Sequence, residues 1–324
     1  MRLLVTGGLG FIGSNFIDFW FRDHPGDTIV NLDKQTYASD PRYVEKVGNK
    51  FDYVFINGDI ADKSAVQRST KNVDIIVNFA AESHVDRSIE NSDVFIRSNF
   101  IGVKNLLDAA VERNIRFHHV STDEVYGTLR MNPNHKFHEH SRYNPRNPYA
   151  ATKAAADMMI NAYHNTYGLP VTISNCGNNF GPHQHPEKLI PKTIISAFYD
   201  KPVPVYGRGF QIRDWIYVED HCSAISMILE RGEAGRSYLI SSGYELRNID
   251  LVKKILQLMG KDTGLINYVS DRPGHDLRYS SDSTLIRKTF GWKPRYSFDG
   301  GLNLTINHYV ANLELYRDKF QKLS

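Results

Sequence analysis

Cysteine is nearly absent from this 324-residue chain: there are two, Cys176 and Cys222, in apolar surroundings without a CxxC spacing or a histidine-rich partner. A disulfide framework and a thiolate metal site are thereby excluded, and buried reduced thiols with a cytoplasmic address are expected. No run of about 18 apolar residues occurs, and the first residues lead straight into a strand pattern, so neither a membrane span nor a signal peptide is expected. Excess charge is also missing. Lys+Arg number 39 and Asp+Glu 36, a net +3 too weak for a nucleic-acid surface yet compatible with a few cations on a phosphorylated ligand. His118 and His119 are neighbours in a strand pattern and face opposite ways, so they are not expected to share a metal, and no metal is expected elsewhere.

What is present is an alternation of short apolar runs and helical stretches. Leu3–Val5, Thr28–Leu32, Tyr53–Ile56, Val73–Val77 and Phe117–Val120 read as strands. Continuous apolar runs separated by helices mean strands covered on both faces, hence a parallel sheet. Right-handed crossovers make it a doubly wound α/β Rossmann sheet, with ligands at the carboxyl ends of the strands. At 324 residues the chain exceeds what one core usually fills, and after Asn175 the alternation loosens into Gly181-Pro182 and Pro273-Gly274 turns and short strands such as Val203–Tyr206. Residues 1–176 are therefore expected to form a dinucleotide-binding domain whose sheet later segments complete. Residues 177–324 would supply mainly a smaller, mixed α/β substrate-binding lobe.

Two helices carry a further expectation. From about Ser92 to Arg113, Ile96, Phe100, Val103, Leu107 and Ala110 recur on one face. The stretch from Tyr149 to about Tyr167 carries Ala154, Ala155, Met158, Met159, Ala162 and Tyr163, apolar on more than one side. A helix needing cover twice packs on the sheet and on something else, so the pair is expected to form a homodimer with its copies.

Thr6-Gly7-Gly8-Leu9-Gly10-Phe11-Ile12-Gly13-Ser14 follows the first strand and opens a helix. The glycines permit a tight turn and close approach of backbone to a pyrophosphate, while the helix N-terminus supplies N–H donors. Asp33 ends the second strand at the spacing where a carboxylate accepts ribose hydroxyls and repels a 2′-phosphate, which favours NAD over NADP. Lys34 beside it softens that preference slightly. Asp59, after the third strand, has two open readings: a cap on the adenine amino group, or a turn-forming residue.

Tyr149 and Lys153 lie one helical turn apart on one face. A tyrosine of ordinary pKa ~10 is a poor base at neutral pH, but one cation at ~4 Å contributes about 4 kcal/mol, roughly three pKa units. Lys153 and a positive nicotinamide ring are expected to bring Tyr149 near neutrality, where it takes a proton from a sugar hydroxyl. Asp123 and Glu124 are adjacent, and neighbours on an extended strand point to opposite faces. They converge on one ligand only where the strand has ended, which the pattern puts at Val120, with Ser121-Thr122 beginning the turn. Two carboxyls in one desolvated cleft resist double ionisation, so one is expected to stay protonated as an acid. A nicotinamide oxidoreductase has no need of such a pair unless its reaction also removes a C–H proton and expels a hydroxyl.

With these segments, the sequence resembles the dTDP-glucose 4,6-dehydratases, a branch of the extended short-chain dehydrogenase/reductase family, over almost its whole length. The similar motifs include Gly7 to Ser14, Ala80 to Ser88, Ser121 to Gly127, Tyr149 to Lys153, Asn175 to Pro182, Pro186 to Pro191, Ile212 to Trp215 and Asp271 to Asp276. The resemblance implies oxidation at C4 of a hexose, loss of water across C5–C6 and reduction at C6. Tyr149 would take the 4-hydroxyl proton, assisted by Thr122 and Lys153, Glu124 would remove the C5 proton, and Asp123 would protonate the leaving hydroxyl. It further implies NAD contacts from Gly7, Gly10, Phe11, Ile12, Gly13, Asp33, Lys34, Thr36, Asp59, Ile60, Ala80, Ala81, Ser98, Tyr149, Lys153 and Asn179. Ser83 and Thr122 would reach the sugar of dTDP-glucose. Asn178, Lys188, Leu189, Pro204, Val205, Tyr206, Arg213, Asn248, Arg272 and His275 would hold its nucleotide diphosphate, with Arg213 and Arg272 suited to bidentate phosphate contacts. Phe180 stands where the family commonly has Tyr, and Ser98 where it has Thr, which touches substrate fit and leaves the reaction class intact. The same elimination on another nucleotide sugar, a 4-epimerase or decarboxylase, and a non-catalytic NAD-binding regulator are the competing readings. The epimerase needs only one of the two carboxyls, and the regulator none of the reactive groups.

Overall fold

A computed structural model describes residues 1–322. Its centre is a seven-stranded sheet of β1 (Arg2–Thr6), β2 (Thr28–Asp33), β3 (Asp52–Asn57), β4 (Ile75–Asn78), β5 (Arg116–Thr122), β6 (Val171–Cys176) and β10 (Arg236–Ile240). The order is β10-β6-β5-β4-β1-β2-β3, and every pairing is parallel. Strand order reverses between β1 and β4, which opens a crevice above their carboxyl ends.

Burial on both faces explains the apolar runs of β1, β2, β4 and β5, whereas the edge strand β3 departs from that expectation, with Val54 and Phe55 exposed. Leu4 and Val30 pack with Ile76 and Phe117 on one face, under the helices Val103–Arg113 and Pro148–Tyr167. Leu3, Val5 and Ile29 face the other way, against Phe16, Ile17 and Trp20 of the helix Phe11–Asp23 and Ile225 of Val218–Arg231. Cys222 is in that second layer, and Cys176 is likewise a buried free thiol. The chain after residue 177 thus returns to the first lobe, bringing a covering helix and the edge strand β10.

The rest of the second half forms two small sheets. One orders β11 (Glu245–Arg247), β9 (Ile212–Tyr217) and β7 (Asn178–Phe180); the other pairs β12 (Ile266–Val269) with β8 (Val203–Tyr206). Phe180, Trp215, Tyr217, Phe298 and Tyr309 make an aromatic core there, so the phenylalanine at 180 is fully buried packing.

Two expectations are corrected. The helical stretch from Asp93 to Arg113 contains a π-helical segment, Ile96–Gly102. Its wider turn shifts the buried stripe, so Val103, Leu107 and Ala110 are buried while Ile96 is 45% exposed. The same shift turns Ser98 and Asn99 inward: Asn99 bonds the Glu82 backbone at 2.8 and 3.0 Å and Thr152 Oγ1 at 3.0 Å. The strand read as Val73–Val77 is Ile75–Asn78, two residues later at its start. Among the described residues, no helix is long and apolar enough to cross a membrane.

Candidate active site

The glycine turn and β2 build one end of the site. Gly10 precedes the helix Phe11–Asp23, and Gly7, at φ +72°, closes its N–H onto the Leu32 carbonyl at 3.0 Å. A Cβ on Gly7 would stand 2.7 Å from the backbone of Ala80, so only glycine lets the turn press against the end of β4. Asp33 Oδ2 accepts from Leu9 N at 3.0 Å, and its Oδ1 accepts from Gln35 N and Ser39 Oγ at 2.8 and 3.0 Å. Lys34 donates to Ser98 Oγ at 2.9 Å and pairs with Glu82 at 3.2 Å, so its charge is tied down. Asp59 takes the turn-forming role, accepting from Ala61 N at 2.9 Å, while still facing the same space.

A cavity of about 300 Å³ runs from this turn across the strand ends. Every residue expected at the dinucleotide lines it, including Thr36, Ile60, Ala81 and Asn179. A floor of glycines that an added Cβ would fill, a helix N-terminus and a carboxylate at the end of β2 together fit a dinucleotide. The far end is lined by Ser83, Thr122, Asp123, Glu124, Tyr149, Lys153, Asn178 and Lys188.

The carboxyls converge because the strand has ended before them, as expected, though later than the pattern put it. β5 continues two residues beyond Val120, through Thr122. What ends the alternation is a 3-10 turn, Asp123–Tyr126, capped by Thr122 Oγ1 accepting from Glu124 N at 3.3 Å. That turn swings both side chains into the cavity. Their environments then separate them. Burial raises Asp123 well above the usual carboxylate range, reinforced by Glu124 and Asp214, and its Oδ2 has no hydrogen-bond partner. Burial also raises Glu124, but Arg213, Lys188 and Arg272 pull it back, and Asn147 Nδ2 donates to its Oε2 at 3.4 Å. Asp123 is thus set to hold a proton and Glu124 to release one.

Tyr149 and Lys153 share the helix Pro148–Tyr167, which starts at an Asn147 cap on Ala150 N (2.8 Å) with proline at its first position. Lys153 alone does not bring Tyr149 towards neutrality as expected, and among the described residues no hydrogen bond joins the two. Lys153 Nζ lies 2.9 Å from His119 Nε2 and 2.8 Å from the Val120 carbonyl oxygen, two acceptors that a buried ammonium requires. Burial and Glu124 push Tyr149 well above its ordinary value, and a Thr122 hydrogen bond opposes them. Burial lowers Lys153 to about 8, with Asp157 opposing.

The residues expected on the nucleotide diphosphate divide. Lys188 joins the cavity wall and donates to the Ser83 carbonyl at 3.1 Å. Arg272, Tyr206 and His275 gather beside it: the Arg272 guanidinium lies 5.3 Å from the Tyr206 ring centre, and Tyr206 packs edge-on against His275. Arg213 donates from its two Nη atoms to the Ile212 and Asp276 carbonyls at 2.8 and 3.0 Å, which orients the guanidinium and leaves three of its five N–H groups for a ligand. It is stacked 4.2 Å from the Tyr279 ring centre, and its charge also lowers Glu124. Val205 is core, 2% exposed, and Leu189 opens a helix packed on that core. Pro204 is half-buried in β8, and the Asn248 side-chain oxygen is buried without a partner.

Sequence reasoning missed Asn147 and Asp86. Asn147-Pro148 is a helix-start signal that would have pointed to the first. Asp86 follows His84 in a quoted motif, but only the fold brings it to Arg272.

Comparison with known proteins agrees with this architecture. The family model described as GDP-mannose 4,6 dehydratase matches residues 4–305. A dTDP-glucose 4,6-dehydratase of Mycobacterium tuberculosis is 44% identical over 318 residues, covering 98% of this chain and 96% of that one. The low-salt glycan biosynthesis protein Agl12 of Haloferax volcanii is 46% identical over 97% of this chain and 100% of its own. The crystal structure of DesIV, a dTDP-glucose 4,6-dehydratase from Streptomyces venezuelae with NAD and TYD bound, superposes with a TM-score of 0.95 at 43% identity, covering 98% of this chain and 100% of that one. The chain belongs to the GDP-mannose 4,6 dehydratase family, among relatives that carry the dTDP-glucose 4,6-dehydratase name.

Proposed function

We propose that this chain is an NAD-dependent dTDP-glucose 4,6-dehydratase, producing dTDP-4-keto-6-deoxyglucose and water. The observation that carries the reading is the side-by-side pair Asp123 and Glu124 at the end of a dinucleotide-shaped cavity, both raised by burial but Asp123 the further, since Arg213, Lys188 and Arg272 pull Glu124 back. NAD lying along the glycine turn and Asp33 would supply the redox chemistry, taking hydride from C4 and returning it to C6. Burial alone keeps Tyr149 protonated, so it takes the proton of the 4-hydroxyl as the phenolate, which the positive charges of Lys153 and of the bound nicotinamide would stabilise, with Thr122 bonded to the same oxygen. The resulting ketone acidifies C5, and Glu124 removes that proton. Asp123 protonates the C6 oxygen, the C6–O bond breaks, and water leaves. Glu124, its proton exchanged with solvent, then protonates C5, and the proton gained by Tyr149 offsets the one lost by Asp123. Arg272, Tyr206, His275 and Lys188 supply the chemistry a nucleoside diphosphate needs.

A homodimer is part of the reading. Val94, Ile96 and Ile101 on one helical stretch and Met158 and Tyr167 on the other are exposed apolar side chains, which support a helix-to-helix pairing between copies. Two buried free thiols are in keeping with a cytoplasmic address.

Incubation with dTDP-glucose and a catalytic amount of NAD tests the activity. The expected product is lighter by one water, with no net build-up of reduced nicotinamide. An isomer of unchanged mass would show epimerisation instead.

A further inference from the structure

Behind Lys153 runs a buried polar chain that the steps above leave unused. His119, fully buried on β5, stands with Nε2 2.9 Å from Lys153 Nζ and Nδ1 2.9 Å from the Asn78 side-chain amide. Asn78 meets the Thr6 hydroxyl at 2.5 Å, at the last residue of β1 before the glycine turn. Asp157, one turn beyond Lys153, lies 3.8 Å from His119 Nε2 and accepts from Ser121 Oγ at 2.8 Å and Asn175 Nδ2 at 3.1 Å.

Donor counting fixes the imidazole. An ammonium has only donors, so at this distance Nε2 presents its lone pair. The ring proton is then on Nδ1; Asn78 is placed with Nδ2 towards that nitrogen and Oδ1 accepting from Thr6 Oγ1, so this tautomer requires the Asn78 amide turned end for end. Burial first, then the Lys153 charge, holds His119 well below its ordinary pKa, so the ring stays neutral. Two of the three Lys153 protons are spent on Nε2 and the Val120 carbonyl, which leaves one for the cavity that Lys153 lines. Lys153 is faced by Tyr149 and Asp157 from its own helix, His119 from β5 and Cys176 from β6.

We propose that His119 is a positioning residue for the dehydration: its Nε2 lone pair, oriented through Asn78, aims the Lys153 ammonium into the cavity and keeps it charged. The effect on turnover rests on the reading of the site as a nucleotide-sugar dehydratase; the hydrogen bond itself does not.

Replacing His119 by leucine removes the acceptor, whereas His119→Gln keeps an oxygen at similar reach. His119→Leu should lower kcat on the order of 10²-fold with KM for dTDP-glucose little changed. It should also move the alkaline fall of kcat to lower pH, because Lys153 loses a group that stabilises its charge. His119→Gln should restore most of kcat and the original alkaline limb. A leucine variant with the parent kcat and limb would overturn the assignment, as would leucine and glutamine variants equally impaired with the limb unmoved. Nitrogen-15 NMR of the histidines in the unsubstituted protein reads the contact without turnover and without a variant that must fold. A protonated Nδ1 and bare Nε2 at His119 are expected, and the opposite tautomer would refute the assignment. If the protein dehydrates no nucleotide sugar, the functional reading fails while the tautomer still decides the His119 contact.

Discussion

Asp86 takes the Arg272 guanidinium at two points, from Nε at 2.5 Å and Nη2 at 3.0 Å, and accepts the Tyr206 hydroxyl at 3.0 Å with the same Oδ2. One carboxylate on the helix Val85–Glu90 thus fixes the angle of a cation carried by the loop after β12. A planar fork held in this way is ready for a diphosphate, and charge-assisted hydrogen bonds are worth about 1.5–3 kcal/mol. Arg272→Ala should therefore raise KM for dTDP-glucose roughly 10- to 100-fold with a smaller change in kcat. Arg272→Lys should recover little of it, since a point charge lacks the fork. Steady-state kinetics on the two variants checks both statements.

Gly7→Ala addresses the cofactor end. The new methyl meets the Ala80 backbone at 2.7 Å, and the backbone angle of +72° is itself unfavourable for alanine. Backbone cannot swing aside as a side chain does, so the turn must move. NAD affinity should fall about 10- to 100-fold, or about 1.4–2.7 kcal/mol, as measured by calorimetric titration.

The pH profile follows from three shifts. Glu124 must be ionised to take the C5 proton, and its pKa is raised, so kcat should fall as acid protonates it. Lys153 must be charged, and its pKa is lowered to about 8, so kcat should fall again as pH rises past that value. Asp123, raised well above the usual range, remains protonated between the two limbs. A bell-shaped kcat profile with its alkaline limb near about 8 is the expected outcome.

Met158 is 60% exposed on the helix that carries Tyr149 and Lys153. In a two-fold pairing of that helix, Met158→Lys brings like charges together, a cost of several kcal/mol. Sedimentation should show a dimer for the parent protein and a monomer for the variant, while NAD binding persists.

The glycine turn, Asp33 and the Tyr-Lys spacing were legible because each depends on local backbone geometry. The convergence of Asp123 and Glu124 was legible together with its cause, the end of the strand, but not the residue at which the strand ends. A strand ending at Thr122 and a 3-10 turn at Asp123 leave no mark in the apolar pattern. The direction of Lys153 was hidden for another reason. Its partners, His119 Nε2 and the Val120 carbonyl, lie across the sheet, and helical spacing alone favoured Tyr149. The Ile212 and Asp276 carbonyls that orient Arg213 were equally out of sight, since only the fold brings Asp276 to it. The π-helical turn at Ile96–Gly102 breaks the very periodicity from which a helix face is read.

The division of labour between the two carboxyls is tested most directly by running the reaction in heavy water and locating deuterium in the product. A dehydrated sugar with solvent deuterium at C5, the hydrogen from C4 retained at C6, and loss of the C5 label in Glu124→Gln is the predicted result. A dehydrated product whose C5 carries no solvent deuterium, or one whose C5 label survives in Glu124→Gln, would contradict it.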